Sequence, residues 1–486
     1  MSTTVTVRMY RQGFGDCFLL KLQDDGSADA HYVLIDCGLA AGAPSQMPAV
    51  IANLAATTNH LDAVVATHDH YDHLSGFNDM SKFGGVTIDK LWLAWTEDDT
   101  DPLAQAIKSA RGTQMAALSA LAGGAKAVGL TVPIEVQTAL EFADYGSAAG
   151  LAAAAGAASS QSRGKLGPVM PPSQGMSNIR AAAANNIVFC NPGQEPLTIP
   201  GVQGARFFVL GPPRDESVFT LPKPEDTDAN QIYALTAALG ADASFLPAGL
   251  ASASGMQADG QWDEARELAY PFDRTYRQPL AVEDGKTMPT PADDPQAADF
   301  LRSHYCGDAD DWRRIDSDWM STAGLLAMRI DDDTNLTSLA LALELVETGK
   351  VLLFPGDAQI ESWVTWPDCT SSFEEGGAQV ERSGKDLLGQ VVFYKVGHHG
   401  SHNGTAKDSG LELMGSPDLV AMIPVDPRYN MVSSGKWQMP APAMLPHLEE
   451  KAQHRVVQAN PDGDIAAGGA DPISANLDDS IGPDRH

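Results

Sequence analysis

The run Thr67-His68-Asp69-His70-Tyr71-Asp72-His73-Leu74-Ser75-Gly76 constrains this chain more than any other stretch. Three histidines and two aspartates crowd into residues 68–73, in a chain of 486 residues with only 12 histidines. The apolar run Leu61-Asp62-Ala63-Val64-Val65-Ala66 just before it reads as a short buried strand. A strand that stops and throws out a turn can aim several side chains at one point. Imidazole nitrogens and carboxylate oxygens are ligands that suit zinc, and also manganese or iron. The competing reading is a polar loop that is histidine-rich by chance, and the density of the run argues against it.

His68-x-His70-x-Asp72-His73 resembles the H-x-H-x-D-H signature of the metallo-β-lactamase-fold hydrolases. The resemblance implies that His68 and His70 hold one metal and that Asp72 and His73 hold a second. Asp69 fills a variable position of that signature and is not expected to be a ligand. Further segments resemble the same superfamily. His31-Tyr32-Val33-Leu34-Ile35-Asp36-Cys37-Gly38 reads as a strand ending in an aspartate, and Asp36 takes the role of orienting the metal loop by hydrogen bonds. Val351-Leu352-Leu353-Phe354-Pro355-Gly356-Asp357 is an apolar strand followed by Gly-Asp, and the resemblance makes Asp357 the carboxylate bridging both metals. Val391-Val392-Phe393-Tyr394-Lys395-Val396-Gly397-His398-His399-Gly400-Ser401 is similar to the ending of ComEC-like soluble metallo-hydrolase domains. Gly15-Asp16-Cys17 and Asn335-Leu336-Thr337-Ser338-Leu339 also resemble that group. His399 is the expected ligand to metal 2, and His398 the acid or phosphate-contacting group.

One departure from the pattern concerns metal 1. Most dinuclear members supply a further histidine from mid-chain, whereas here His304 alone lies between His73 and His398. Metal 1 is therefore expected to be incomplete, or completed by Asn335 or water. The implied cofactor is a pair of divalent ions, zinc first and manganese second.

The fold implied is α/β, the αββα four-layer metallo-β-lactamase sandwich with two large insertions. The catalytic domain is placed at residues 1–430. Its insertions fall at about 98–186, which is Ala-rich and helical, and 214–320, which is irregular. Gly123-Gly124, Gly146 and Gly150 are expected to interrupt the first, which is either a cap over the site or plain surface elaboration. A strand over Val86–Trp95, a short element at Leu197-Thr198-Ile199 and a helix over Pro48–Thr57 complete the outline. Residues 431–486 are read as a loop, a helix and a mobile tail, with Trp437-Gln438-Met439-Pro440 near the site mouth.

Composition narrows the partners. The formal charge of −31 opposes long duplex DNA, since phosphate contacts need clustered lysine and arginine. No long apolar run suggests a membrane span, and Met1-Ser2-Thr3-Thr4-Val5 lacks a signal-peptide pattern. Cys17, Cys37, Cys190, Cys306 and Cys369 are scattered, with no close pair in sequence, which suggests reduced thiols and a cytoplasmic location. The expected activity is metal-dependent hydrolysis by a water activated between two cations, with Asp72, Asp357 and His398 taking part. The expected substrate is a small phosphodiester or single-stranded nucleic acid. The alternatives are a carboxyl-ester, lactone or thioester hydrolase on the same fold, and a non-catalytic metal-binding sensor or interaction protein.

Overall fold

Two six-stranded sheets carry the molecule, and each is built in the same way. The first runs in chain order through Thr3–Met9, Cys17–Asp24, His31–Cys37, Ala63–Ala66, Leu91–Ala94 and Ile187–Cys190. Its first three strands pair antiparallel, and every later pairing is parallel. The second runs through Ala205–Gly211, Ala340–Leu345, Val351–Phe354, Val391–Lys395, Val420–Ile423 and Val456–Gln458, and it repeats that pattern of antiparallel and then parallel pairing. The description comes from a computed structural model and covers residues 2–43, 46–127, 132–143, 172–184, 186–215, 280–283, 286–289, 300, 304 and 318–459.

Burial follows strand position. Thr3–Met9, at a sheet edge, alternates between covered and open side chains. Ala63–Ala66, Leu91–Ala94 and Val351–Phe354 are buried throughout, as parallel strands covered on both faces must be. Phe18, Leu20, Val33, Val65 and Trp92 of the first sheet meet Phe207, Val209, Leu341 and Phe354 of the second in one apolar cluster. The opposite face of the first sheet packs Leu19, Leu34 and Val64 against Val50 and Leu54 of the helix Met47–Thr57, whose first turn carries Pro48. The second sheet turns Phe208, Leu353 and Val391 toward Trp363, Leu387 and Leu448 of short helices.

Several local expectations change. Val86–Trp95 is not one strand: Thr87–Ile88 pairs with His60–Leu61, and Leu91–Ala94 then enters the main sheet. Leu197-Thr198-Ile199 makes only an isolated bridge, Leu197 to Phe207. Gly123-Gly124 does not interrupt the first insertion, because the helix Pro102–Ala127 runs through it. Each glycine costs a helix roughly 1 kcal/mol, an amount that burial of Leu118 and Ala122 on the same helix offsets. Asp331–Asn335 forms the last turn of the helix Asp318–Asn335, just before the strand Ala340–Leu345. Cys17 and Cys37, distant in sequence, are direct cross-strand partners. Four of the cysteines (Cys17, Cys37, Cys190 and Cys369) are free thiols.

Gly146, Gly150, most of the irregular second insertion and the C-terminal tail lie outside the described residues. Among the described residues no helix is long and apolar enough to cross a membrane.

Candidate metal centre

The centre lies where strands of both sheets end. Asp36 closes the strand His31–Cys37 in the left-handed region (φ 54°) and is fully buried. Its Oδ1 accepts from the Thr67 backbone N–H at 2.8 Å, and its Oδ2 from the Thr67 hydroxyl at 2.7 Å. His73 Nδ1 donates to the same Oδ2 at 2.7 Å. One carboxylate thus fixes the start of the metal loop and the tautomer of its last histidine, and leaves His73 Nε2 as the ligand atom. That Nε2 is buried and makes no hydrogen bond.

Around it stand Asp357 Oδ2 at 3.2 Å and Asp72 Oδ2 at 3.8 Å. His399 completes the group from the second sheet. Its Nδ1 donates to the Pro424 carbonyl at 3.0 Å, which turns Nε2 toward Asp72 Oδ2 at 2.9 Å and Asp357 Oδ2 at 3.1 Å. Asp72, His73, Asp357 and His399 are therefore brought together. The second pair sits alongside. Thr67 gives its only proton to Asp36, so it accepts from His68 Nδ1 at 3.1 Å and leaves His68 Nε2 facing His70 Nδ1 at 3.0 Å. The His68 and His73 rings are 4.2 Å apart, so the two groups are contiguous.

Asn335 ends its helix fully buried, with Oδ1 unpartnered and Nδ2 3.3 Å from His398 Nε2. His398 is half-buried, and its Nδ1 faces Asn403 Oδ1 at 3.1 Å. Both His398 (φ 47°) and His399 (φ 50°) hold left-handed backbone, which costs a non-glycine residue about 1–3 kcal/mol. Neighbouring contacts impose this turn: a Cβ on Gly397 would lie 2.3 Å from the Gly404 carbonyl oxygen. Asp69 is engaged with the first insertion instead: its Oδ2 accepts from the Ser173 backbone N–H at 3.0 Å. His304 is exposed and packs on Phe300, and His402 is exposed too.

Sequence reasoning missed two residues of the centre. Asp16 joins His73, Asp357 and His399 in a set whose ligand atoms lie within 4.8 Å of one another. Lys395 Nζ lies 2.5 Å from Asp16 Oδ2 and donates to Asp357 Oδ1 at 3.1 Å and the Gly356 carbonyl at 2.8 Å. A lysine closing an otherwise apolar strand, Val391–Lys395, was the available signal for the second.

The electrostatics separate the two histidine groups. Burial holds His68 well below its ordinary pKa and takes His70 down to about 3, so both stay neutral, the form that binds a cation. Burial also opposes charge on His73 and His399, but there the carboxylates prevail. Asp357, Asp72, Asp16 and Asp36 hold His73 well above its ordinary value, and His399 rises to about 10. Asp357 is driven well below the carboxylate range, because His399, His73 and Lys395 outweigh its burial. So many buried carboxylates require positive charge among them. The unpartnered atoms His73 Nε2, Asp72 Oδ1, Asp16 Oδ1 and Asn335 Oδ1 are all nitrogen or oxygen donors of the kind divalent ions take, so the residues present fit such a group.

An aromatic wall spans both histidine groups. Phe14 packs on His399 (centroids 4.5 Å apart) and Phe142 on His70 (5.7 Å). Half-buried Trp437 touches both phenylalanines, at 5.6 and 5.8 Å. Phe142 ends the helix Ile134–Phe142, so described parts of the first insertion reach the metal loop.

Residues 31–140 match the model of a family described as a beta-lactamase superfamily domain, whose members are generally metal-dependent hydrolases. The match takes in Asp36 and the whole 68–73 motif and ends before Asp357 and the histidine pair. No curated protein matches the chain.

Proposed function

We propose that this chain is a metal-dependent phosphodiesterase built on an αββα sandwich with two insertions. The observation that carries the reading is the convergence of Asp72, His73, Asp357 and His399, from segments far apart in sequence, on the unpartnered Nε2 of His73. His68 Nε2 and His70 Nδ1, with Asn335 Oδ1, would hold one ion. Asp72, His73 and His399 would hold the other, and Asp357 would serve both. Zinc suits this nitrogen-rich set first and manganese second. Such a pair of ions, when bound, lowers the pKa of water and stabilises the attacking and leaving oxygens of an in-line displacement.

The chain's own residues do the rest. Asp36 and Pro424 lock the tautomers of His73 and His399, and Lys395 holds Asp357 in place and ionised. His398 hydrogen-bonds through both ring nitrogens at the edge of the centre. Burial holds it below its ordinary pKa, and its one N–H is given to Asn403 while Nε2 accepts from Asn335. It is thus held as a neutral ring and is poorly placed to act as an acid near neutral pH. Phe14, Phe142 and Trp437 exclude water from one side. The phosphodiester assignment rests on the Gly-His-His-Gly-Ser and Asn-x-x-Ser-Leu segments, similar to those of ComEC-like domains. The charge of −31 moves the substrate toward small phosphodiesters or single strands.

The test is hydrolysis of bis-p-nitrophenyl phosphate by protein loaded with zinc or manganese, beside ester, thioester and lactone panels. Asp357→Asn and His73→Ala should each cost at least about a hundredfold, more than the loss of an outer-shell partner usually costs. Cleavage of esters or lactones without phosphodiesters would move the chain to the carboxyl-ester class. Metal binding without any hydrolysis would make it a sensor.

A further inference from the structure

The inserted helix Pro102–Ala127 carries a buried guanidinium that the proposed centre does not use. Arg111 is only 6% exposed, and its Nε and Nη1 meet no acceptor. Guanidinium cannot shed its proton in a protein, so burying two idle donors is costly. The carboxylates on which its charge acts, Glu97 and Asp69, make their hydrogen bonds to other groups. Glu97 Oε2 takes Lys108 Nζ at 3.1 Å and Arg180 Nη2 at 3.0 Å. Asp69 gives Oδ2 to Ser173, and its Oδ1 is as unpartnered as the arginine, so the two groups do not meet. Asp99, the other partner of Lys108 and Arg180, lies at the surface with its side chain 73% exposed.

The position of Arg111 ties it to the metal loop. Its charge bears on His70, Asp69 and Glu97. Three cations, Lys108, Arg111 and Arg180, therefore crowd one buried glutamate beside the His68–His70 pair. They do so in a chain with 63 acidic and only 32 basic residues. Lys108 and Arg180 satisfy Glu97 and Asp99, so among the described residues the Arg111 guanidinium is the cation of this group left without a hydrogen-bonded anion. A fixed cation with idle N–H donors, Nε and Nη1, suits a phosphate oxygen.

We propose that Arg111 binds the anionic phosphate of the substrate on the His70 side of the centre, as a specificity-determining residue supplied by the insertion. This deepens the phosphodiesterase reading and rests on it for the identity of the anion. It also gives the insertion a purpose: the helix brings to the metal loop a cation that the two sheets do not supply.

Calorimetric titration of inorganic phosphate into the metal-loaded full chain, and into the same protein after chelation, tests the inference. Arg111→Met should weaken phosphate binding about tenfold or more in both states, the amount expected for a charge-assisted hydrogen bond, and Arg111→Lys should fall between. Phosphate should raise the melting temperature of the wild type and leave that of Arg111→Met nearly unmoved. Equal phosphate affinity in wild type and Arg111→Met, or no phosphate binding by the wild type, would overturn the proposal. If Arg111→Met does not fold, Arg111→Lys decides, because a lysine keeps the charge and loses the guanidinium N–H donors. Loss of phosphate binding in a protein that hydrolyses no phosphodiester would sink the activity and leave the anion site standing. Phosphodiester hydrolysis with unchanged phosphate affinity in the variants would do the reverse.

Discussion

Lys395 bears its charge in a place that tolerates one only because two carboxylates face it. Burial pulls its pKa down, but Asp16 and Asp357 outweigh burial and hold the ammonium above its ordinary value. Removing one partner of such a buried set costs about 3–5 kcal/mol, since the remaining charges stay uncompensated. Lys395→Met should therefore lower the melting temperature of the chelated protein markedly. A bound divalent ion supplies positive charge to the same carboxylates, so the loss should be smaller in the loaded protein. Calorimetry with and without chelator checks this. An equal loss in both states would mean that Lys395 and the ion do not share Asp357. The 68–73 motif was legible because its ligands sit within one turn. Asp16 and Lys395 were not, because their roles depend on partners far along the chain. No local pattern announces that Asp16, Asp357 and Lys395 meet.

At the scale of elements, the metal loop is shaped by how closely backbone approaches backbone. Gln12 Nε2 donates to the Gly15 carbonyl at 2.7 Å and the Gly38 carbonyl at 3.0 Å, and the Asp16 N–H donates to the Asp72 carbonyl at 3.1 Å. This pins the two loops under the motif. A Cβ on Gly38 would lie 2.1 Å from the Asp72 carbonyl carbon and 2.2 Å from the His73 nitrogen. Backbone cannot swing aside as the end of a side chain can, so Gly38→Ala should cost about 1–3 kcal/mol or more. The displaced segment carries Asp72 and His73, so metal affinity should fall with stability. Zinc titration beside urea unfolding checks this, and full affinity at reduced stability would show that the loop absorbs the shift. Elements were legible where a continuous apolar run or a proline in a first turn marked them, as in Val351–Phe354 and Met47–Thr57. They were misread where tertiary contact overrode local preference, as when the helix Pro102–Ala127 carried Gly123-Gly124 through its length.

Across the whole molecule, the repeated strand pattern explains why the centre has two sides. The third strand of each sheet, His31–Cys37 and Val351–Phe354, delivers an aspartate at or just beyond its end, Asp36 or Asp357. The fourth strands, Ala63–Ala66 and Val391–Lys395, are each followed by histidines, 68–73 from one sheet and 398–399 from the other. Leu339 N–H donates to the Thr67 carbonyl at 2.8 Å and joins the halves next to the site. Folding thus forces buried carboxylates together, and the metal-free protein must neutralise them with protons. His399 rises from 6.5 to about 10, so its contribution to stability is complete below 6.5 and is lost as pH climbs through about 10. Asp72 and Asp357 are depressed, so theirs is present above 3.8 and is lost as pH falls through their lowered folded values. Metal-free protein should accordingly be most stable between these limits and should weaken on the alkaline side as His399 gives up its proton. A divalent ion replaces that proton without needing low pH, so loaded protein should hold its stability across the same alkaline range. Its metal affinity should fall as acid returns protons to His73 and His399. Melting curves from pH 5 to about 10.5, with and without zinc, decide the matter. Parallel alkaline losses in the two states would show that the ion does not sit among these histidines and carboxylates.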